Sequence, residues 1–209
     1  MTNSRENILN KIRQALVNPV PVPFAGGNTS DNVFLPSVQE LEIEFAENFT
    51  KLLGKFSFCA NLNEMASNLQ ILATARNWSH ILCNEDNLKQ QLSASGFTNF
   101  TATDLASCDA AITTCESLVA RTGSMILSAA QQSGRSTSVY APVHICIAYT
   151  SQLVYDIKDG LQLIKTKYGA NLPSLITLAT GPSRTADIEK TLVVGVHGPK
   201  EVFCFLIDG

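Results

Sequence analysis

Charge is scarce in this chain. Asp, Glu, Lys and Arg make up 16% of its 209 residues, against about 25% in an average soluble protein. With 45% hydrophobic residues, the chain can bury a sizeable core, and its sparse surface charge favours contact with partner subunits or further copies of itself. The formal net charge is -3, and Lys and Arg are scattered singly. A nucleic-acid protein would present a basic stripe, so that class is excluded. No apolar run approaches the roughly 18 residues that a bilayer span requires. The opening MTNSRENILNKIRQAL is polar and amphipathic, without the apolar core of a signal peptide. A cytoplasmic protein is expected.

Metal and phosphate signatures are missing too. The six cysteines form no C-x-x-C pair, and none stands at zinc spacing from one of the three histidines. This argues against structural zinc and a conventional iron–sulfur site. The cysteines read as reduced core thiols. There is no G-x-G-x-x-G, no G-x-x-x-x-G-K-[ST] and no G-x-S-x-G. Neither a metal nor a cofactor is expected.

What is present is an ordered alternation. Residues 3–17 place Ile8, Leu9, Ile12 and Leu16 at helical spacing. The stretch 18–36 carries four prolines and two glycines, which leaves no room for a helix or a central strand. Residues 1–36 therefore read as a helical arm on a linker, and 37–209 as the main domain. Helices are predicted over 37–54, from Asn61 or Asn63 to about Arg76, from Asn84 to Gly96, and over 156–168 closed by Gly169. Strands are predicted at 56–59, 80–83, 110–114, 125–127, 144–148, 175–179 and 202–207. Alternating strands and helices with short connections specify an α/β sheet with helices on both faces. The tight Thr122-Gly123-Ser124 and Gly198-Pro199 turns add hairpins.

Four polar constellations stand out. Gly181-Pro182-Ser183-Arg184-Thr185-Ala186-Asp187 follows the apolar strand 175–179, and ligands of open α/β sheets bind at carboxyl strand ends. Ser183 or Thr185 could cap a short helix whose free N–H groups attract anions, and Arg184 adds a guanidinium fork. Asp187 is equally at home as a first-turn carboxylate stabilised by the helix dipole. Next, Glu116 lies between two strands as the sole carboxylate of its segment. It is a candidate base or nucleophile, or simply a solvated strand-end acid. Thr122-Gly123-Ser124 offers amides and hydroxyls to a small anion, or is a plain turn. His197, in Val196-His197-Gly198-Pro199, is a candidate proton carrier or a turn-holding hydrogen-bond donor. Arg135 lies in the polar loop Gly134–Thr137 and is a fourth candidate for an anion.

Gly181-Pro182-Ser183-x-Thr185-Ala186-Asp187-Ile188-Glu189, followed by Gly195-Val196-His197-Gly198-Pro199, resembles the signature of the lactate utilisation protein C family (LUD domain, LutC/YkgG). Ala120-x-Thr122-Gly123-Ser124, and Arg135 followed by Pro142 and His144-Ile145, resemble it as well. The resemblance covers about 110–208. It implies a three-layer α/β/α Rossmann-like sandwich of the NagB/RpiA/CoA-transferase type. It also implies a cluster-free subunit that works beside two iron–sulfur proteins oxidising L-lactate to pyruvate, and that binds a small carboxylate or supports those partners. Arg121 departs from the family pattern, where many members carry an acid before Thr-Gly. Two other readings stay open: a stand-alone enzyme on an anionic metabolite or CoA ester with Glu116 reacting, and a module sensing an organic acid or sugar phosphate.

Overall fold

The computed structural model describes residues 4–17, 36–185 and 193–209; the linker residues 18–35 lie outside them. The chain divides into two units, Met1–Pro36 and Ser37–Gly209. In the first, α1 (Ser4–Val17) buries none of its residues, and Ile8, Leu9, Ile12 and Leu16 are exposed.

The second unit runs through α2 (Leu41–Lys51), β1 (Lys55–Cys59), α3 (Leu62–Ala75), β2 (Ile81–Cys83), α4 (Asp86–Ala94), β3 (Ala110–Thr113), β4 (Ser117–Val119) and β5 (Ser124–Ser128). It continues with α5 (Thr137–Tyr140), β6 (Val143–Tyr149), β7 (Leu153–Val154), α6 (Ile157–Tyr168), β8 (Ile176–Ala179), β9 (Arg184–Thr185), β10 (Val193–Val194) and β11 (Glu201–Ile207).

Five strands form a central sheet in the order β1-β11-β6-β3-β2, with every neighbouring pair parallel. A parallel sheet is covered on both faces, so its strands are apolar along their length rather than alternating. The sequences VHICIAY of β6 and EVFCFLI of β11 obey this, with all but their outermost residues buried. On one face, Met65 and Leu69 of α3 and Leu88 and Leu92 of α4 pack on Ile112, Ile145 and Phe205. On the other, Phe45 and Phe49 of α2 pack on Cys146, Cys204 and Leu206 together with Leu118, Met125 and Leu127 of a second sheet. Each such side chain contributes on the order of 1.5–3 kcal/mol by leaving water. The second sheet has the order β7-β4-β5-β8, and α6 covers its outer side through Ile164. The molecule is thus a mixed α/β fold, a central parallel sheet flanked by helices, with a small sheet folded in beneath α6. All six cysteines are free and buried, and burial pushes the Cys83 thiol up to about 11.

Three expectations are corrected. The strand at 176–179 does not join the parallel sheet: β8 pairs antiparallel with β5 and is only partly buried, as befits the edge of a thin second sheet. The turn at Gly198-Pro199 closes no hairpin, because β10 and β11 lie in different sheets. Asn84 does not cap α4: Glu85 holds the cap position, and no side chain bonds there. The hairpin at Thr122-Gly123-Ser124 does form, joining β4 to β5 antiparallel.

Candidate functional site

Two residues of the polar turn sequences are there for packing. Gly123 adopts φ 58°, a left-handed conformation that favours glycine. A Cβ on it would stand 2.4 Å from the backbone nitrogen of Phe49. Gly181, at φ 73°, approaches the Leu52 carbonyl equally closely. Both turns therefore dock on the carboxyl end of α2, and Asn48 Nδ2 clamps the first by donating to the carbonyls of Ala120 and Arg121 at 3.0 and 3.2 Å. The turn hydroxyls satisfy one another: Ser124 Oγ donates to Thr122 Oγ1 at 2.8 Å and lies 2.9 Å from Thr180 Oγ1.

The three arginines hold separate places. Arg121 forms a two-pronged ion pair with Asp156, at 2.9 and 3.2 Å. Asp156 is also the N-cap of α6, in a reciprocal capping box with Asp159. Hydrogen bonding from Arg121 holds the Asp156 carboxyl below its usual range. Arg135 donates to Ser174 on the surface. Arg184 is exposed and lies in β9, where it pairs with Val194. Ser183 therefore leads into a strand, not a helix, and Thr185 is itself in that strand. Asp187 lies outside the described residues.

Glu116 is enclosed. Its side chain is 4% exposed. Oε1 accepts from Ser128 Oγ at 2.6 Å and Tyr168 Oη at 2.8 Å, and Oε2 accepts from Lys167 Nζ at 2.8 Å. Burial pushes its pKa up, but the Lys167, Ser128 and Tyr168 hydrogen bonds outweigh that and hold it below the usual value. A carboxylate so satisfied is a poor proton acceptor near neutrality.

His197 lies in a different setting. It is exposed and lines a cavity of about 450 Å³ with Val139, Tyr140, Pro142, Gly195 and Lys200. The cavity sits at the amino edge of the central sheet, where Pro142 enters β6 and Lys200 enters β11, joined by the Lys200 N–H to Pro142 carbonyl bond of 2.8 Å. The signature segments shape this wall. Ser183 donates its N–H to the Pro199 carbonyl and accepts from the Gly195 N–H, both at 2.9 Å. Gly198 packs so tightly on Ser183 that a Cβ would meet it at 2.9 Å. Of the anticipated ligand residues, Ser183 thus buttresses His197 from behind. The structure does not bring Thr122, Gly123, Ser124, Arg135, Gly181 or Arg184 into the lining. Tyr140 and Lys200 do line it, and the sequence reading passed over both. Their signal was adjacency: Tyr140 precedes Ala141-Pro142, and Lys200 directly follows Pro199.

The carboxyl-end rule for open sheets does not locate this cavity, because β8 belongs to the second sheet and the cavity lies at the amino ends of β6 and β11. Lys200, His197 and Tyr140 line it, and none of its described lining residues is Asp or Glu. Such a lining can neutralise and hydrogen-bond a small anion. Among the described residues, no group of three or more His, Cys, Asp or Glu gathers to hold a metal, and no helix is long and apolar enough to cross a membrane.

A central parallel sheet, helices on its faces and an inserted second sheet define an α/β domain with an open cavity at the amino ends of β6 and β11. The chain belongs to the LUD domain family, which it matches over residues 44–207. It is 36% identical over 99 residues to Lactate utilization protein C of Bacillus subtilis, covering 46% of this chain and 41% of that protein. It is 33% identical over 100 residues to Lactate utilization protein C of Deinococcus radiodurans, covering 47% and 46%. The chain spans less than half the length of these curated relatives. A crystal structure of a DUF162 family protein from Deinococcus radiodurans superposes with a TM-score of 0.58 at 18% identity, over 80% of this chain and 96% of that one. That likeness concerns the fold.

Proposed function

We propose that this chain acts in lactate utilisation as a cluster-free LUD-domain component, and that its His197 cavity binds a small carboxylate. The observation that carries the reading is family membership, together with relatives more than 30% identical that are named for lactate utilisation. The cavity supports the second half: it is open, and its lining bears Lys200, His197 and Tyr140 with no Asp or Glu among the described residues. The partners in this reading are iron–sulfur subunits that carry out the oxidation of L-lactate to pyruvate, with this chain binding the acid or supporting their assembly. A Glu116-centred enzyme is not part of it, because that carboxylate is already held by three donors.

Deleting the gene in its host should abolish or slow growth on L-lactate while leaving growth on glucose unchanged. Affinity purification of the tagged chain from lactate-grown cells should recover iron–sulfur proteins. Normal growth on lactate, together with recovery of no iron–sulfur protein, would overturn the role.

A further inference from the structure

Resting on the reading of the cavity as a carboxylate site, we infer that Lys200 is its charge-recognising residue and that the site selects small monoanions over phosphates and polyacids. Among the described residues, the cavity lining contains one formal cation, Lys200, and no Asp or Glu. Lys200 forms none of the ion pairs among the described residues, whereas Lys55, Arg76, Arg121 and Lys167 are each committed to a carboxylate. A cation in a cavity wall that is paired with no acid among the described residues is available to an anionic ligand.

The position of Lys200 is built rather than incidental. Its backbone N–H is tied to the Pro142 carbonyl at 2.8 Å, which fixes where its side chain leaves the wall. Gly195, at φ 82°, lies so close that a Cβ there would stand 2.2 Å from Lys200 Cγ and 3.1 Å from its Cα. A residue without a Cβ is what lets the lysine stem lie across the turn. The same turn carries His197, so the glycine that admits the lysine also sets the ammonium and imidazole on one wall. One ammonium balances one negative charge. The imidazole of His197 and the phenol of Tyr140 are then left for a neutral oxygen of the same molecule. The chemical class is a short monocarboxylate bearing a hydroxyl or keto oxygen. A sugar phosphate, a CoA ester or a tricarboxylate would bring two or more negative charges to a single cation.

Isothermal titration and thermal-shift measurements on the full chain test this, with L-lactate, pyruvate, glucose 6-phosphate, CoA and citrate as probes. Native-state binding raises the unfolding midpoint by mass action. Lactate or pyruvate should bind more tightly than the phosphates and citrate. Lys200→Met should weaken that binding by about tenfold or more, the scale of a lost charged hydrogen bond, and Lys200→Arg should restore most of it. Val139→Trp, which fills the cavity without changing its charge, should abolish it. Tighter binding of glucose 6-phosphate, CoA or citrate would overturn the monoanion assignment. Binding that survives Lys200→Met but is lost in Val139→Trp would overturn the role of Lys200 and leave the cavity standing. Binding indifferent to both variants, or no binding of any probe, would overturn the cavity reading itself.

Discussion

The Glu116 cluster and the His197 cavity hold similar chemistry in opposite states. Each combines a lysine, a tyrosine and a further polar group. Around Glu116 the groups answer one another: the carboxylate accepts from Lys167, Tyr168 and Ser128 and is almost closed to water. Around His197 the lysine and tyrosine face a cavity whose described lining includes no acid. A satisfied buried network stabilises and orients, whereas polar groups open to a cavity stay accessible to solvent and to small molecules. Polar residue types alone therefore do not mark a site; the state of their partners does.

Several substitutions would break or sharpen that contrast. The largest effect is expected at Gly123. Alanine there must hold a positive φ and press its Cβ against the α2 backbone, costing about 3–5 kcal/mol, read as a loss in denaturant midpoint. A stability within 1 kcal/mol of the parent would show that α2 yields. Next comes Glu116→Ala, which strands Lys167 and two hydroxyls beside a void. It should cost roughly 3 kcal/mol while leaving lactate affinity unchanged. A variant of normal stability that had lost ligand binding would reverse the assignments of the two regions.

Acid should act on the interior in two stages. His144 is buried, 2.9 Å through Nε2 from Thr113 Oγ1, and burial pushes its pKa from 6.5 down to about 4. The unfolded chain thus binds the proton first. Stability is full above about 6.5 and falls as pH drops toward 4, by roughly 3 kcal/mol in all. Glu116, with its pKa lowered from 4.5, contributes stability above that value that is lost at still lower pH. Urea titrations from pH 7 to 4 should show the first stage, and His144→Gln should flatten it. An unchanged slope in that variant would remove His144 as the cause. The smallest stability effect belongs to Lys200→Met. As an exposed residue outside the ion pairs of the described residues, it should move the midpoint by no more than about 0.5 kcal/mol. A larger loss would make Lys200 structural, like Lys167.

Much of the fold could be read directly. The apolar runs of β6 and β11 carry the mark of a doubly covered parallel strand. Of the two candidate caps, Asn61 and not Asn63 caps α3, accepting from the Glu64 N–H, and Gly169 ends α6 with φ 56°. The short strands β4, β7, β9 and β10 went unread, because two or three residues are too few to show a period. The site was read at the level of the segment and missed at the level of roles. The Ser183 and Gly195–Pro199 segments do build a cavity, but Gly123 and Gly181 serve α2, and Arg121, the departure from the family pattern, anchors Asp156.

The sequence by itself determined the family, the alternation of strands and helices, the buried thiols and the segment that walls the cavity, because these rest on local composition, periodicity and ordered motifs. Tertiary structure alone decided that β8 leaves the parallel sheet, that Glu116 is closed in by Lys167 and Tyr168 from α6, and that Tyr140 meets His197 and Lys200 across one cavity. Those outcomes depend on which distant residues become neighbours, and distance in space is fixed by packing of the sheets and helices, not by spacing along the chain.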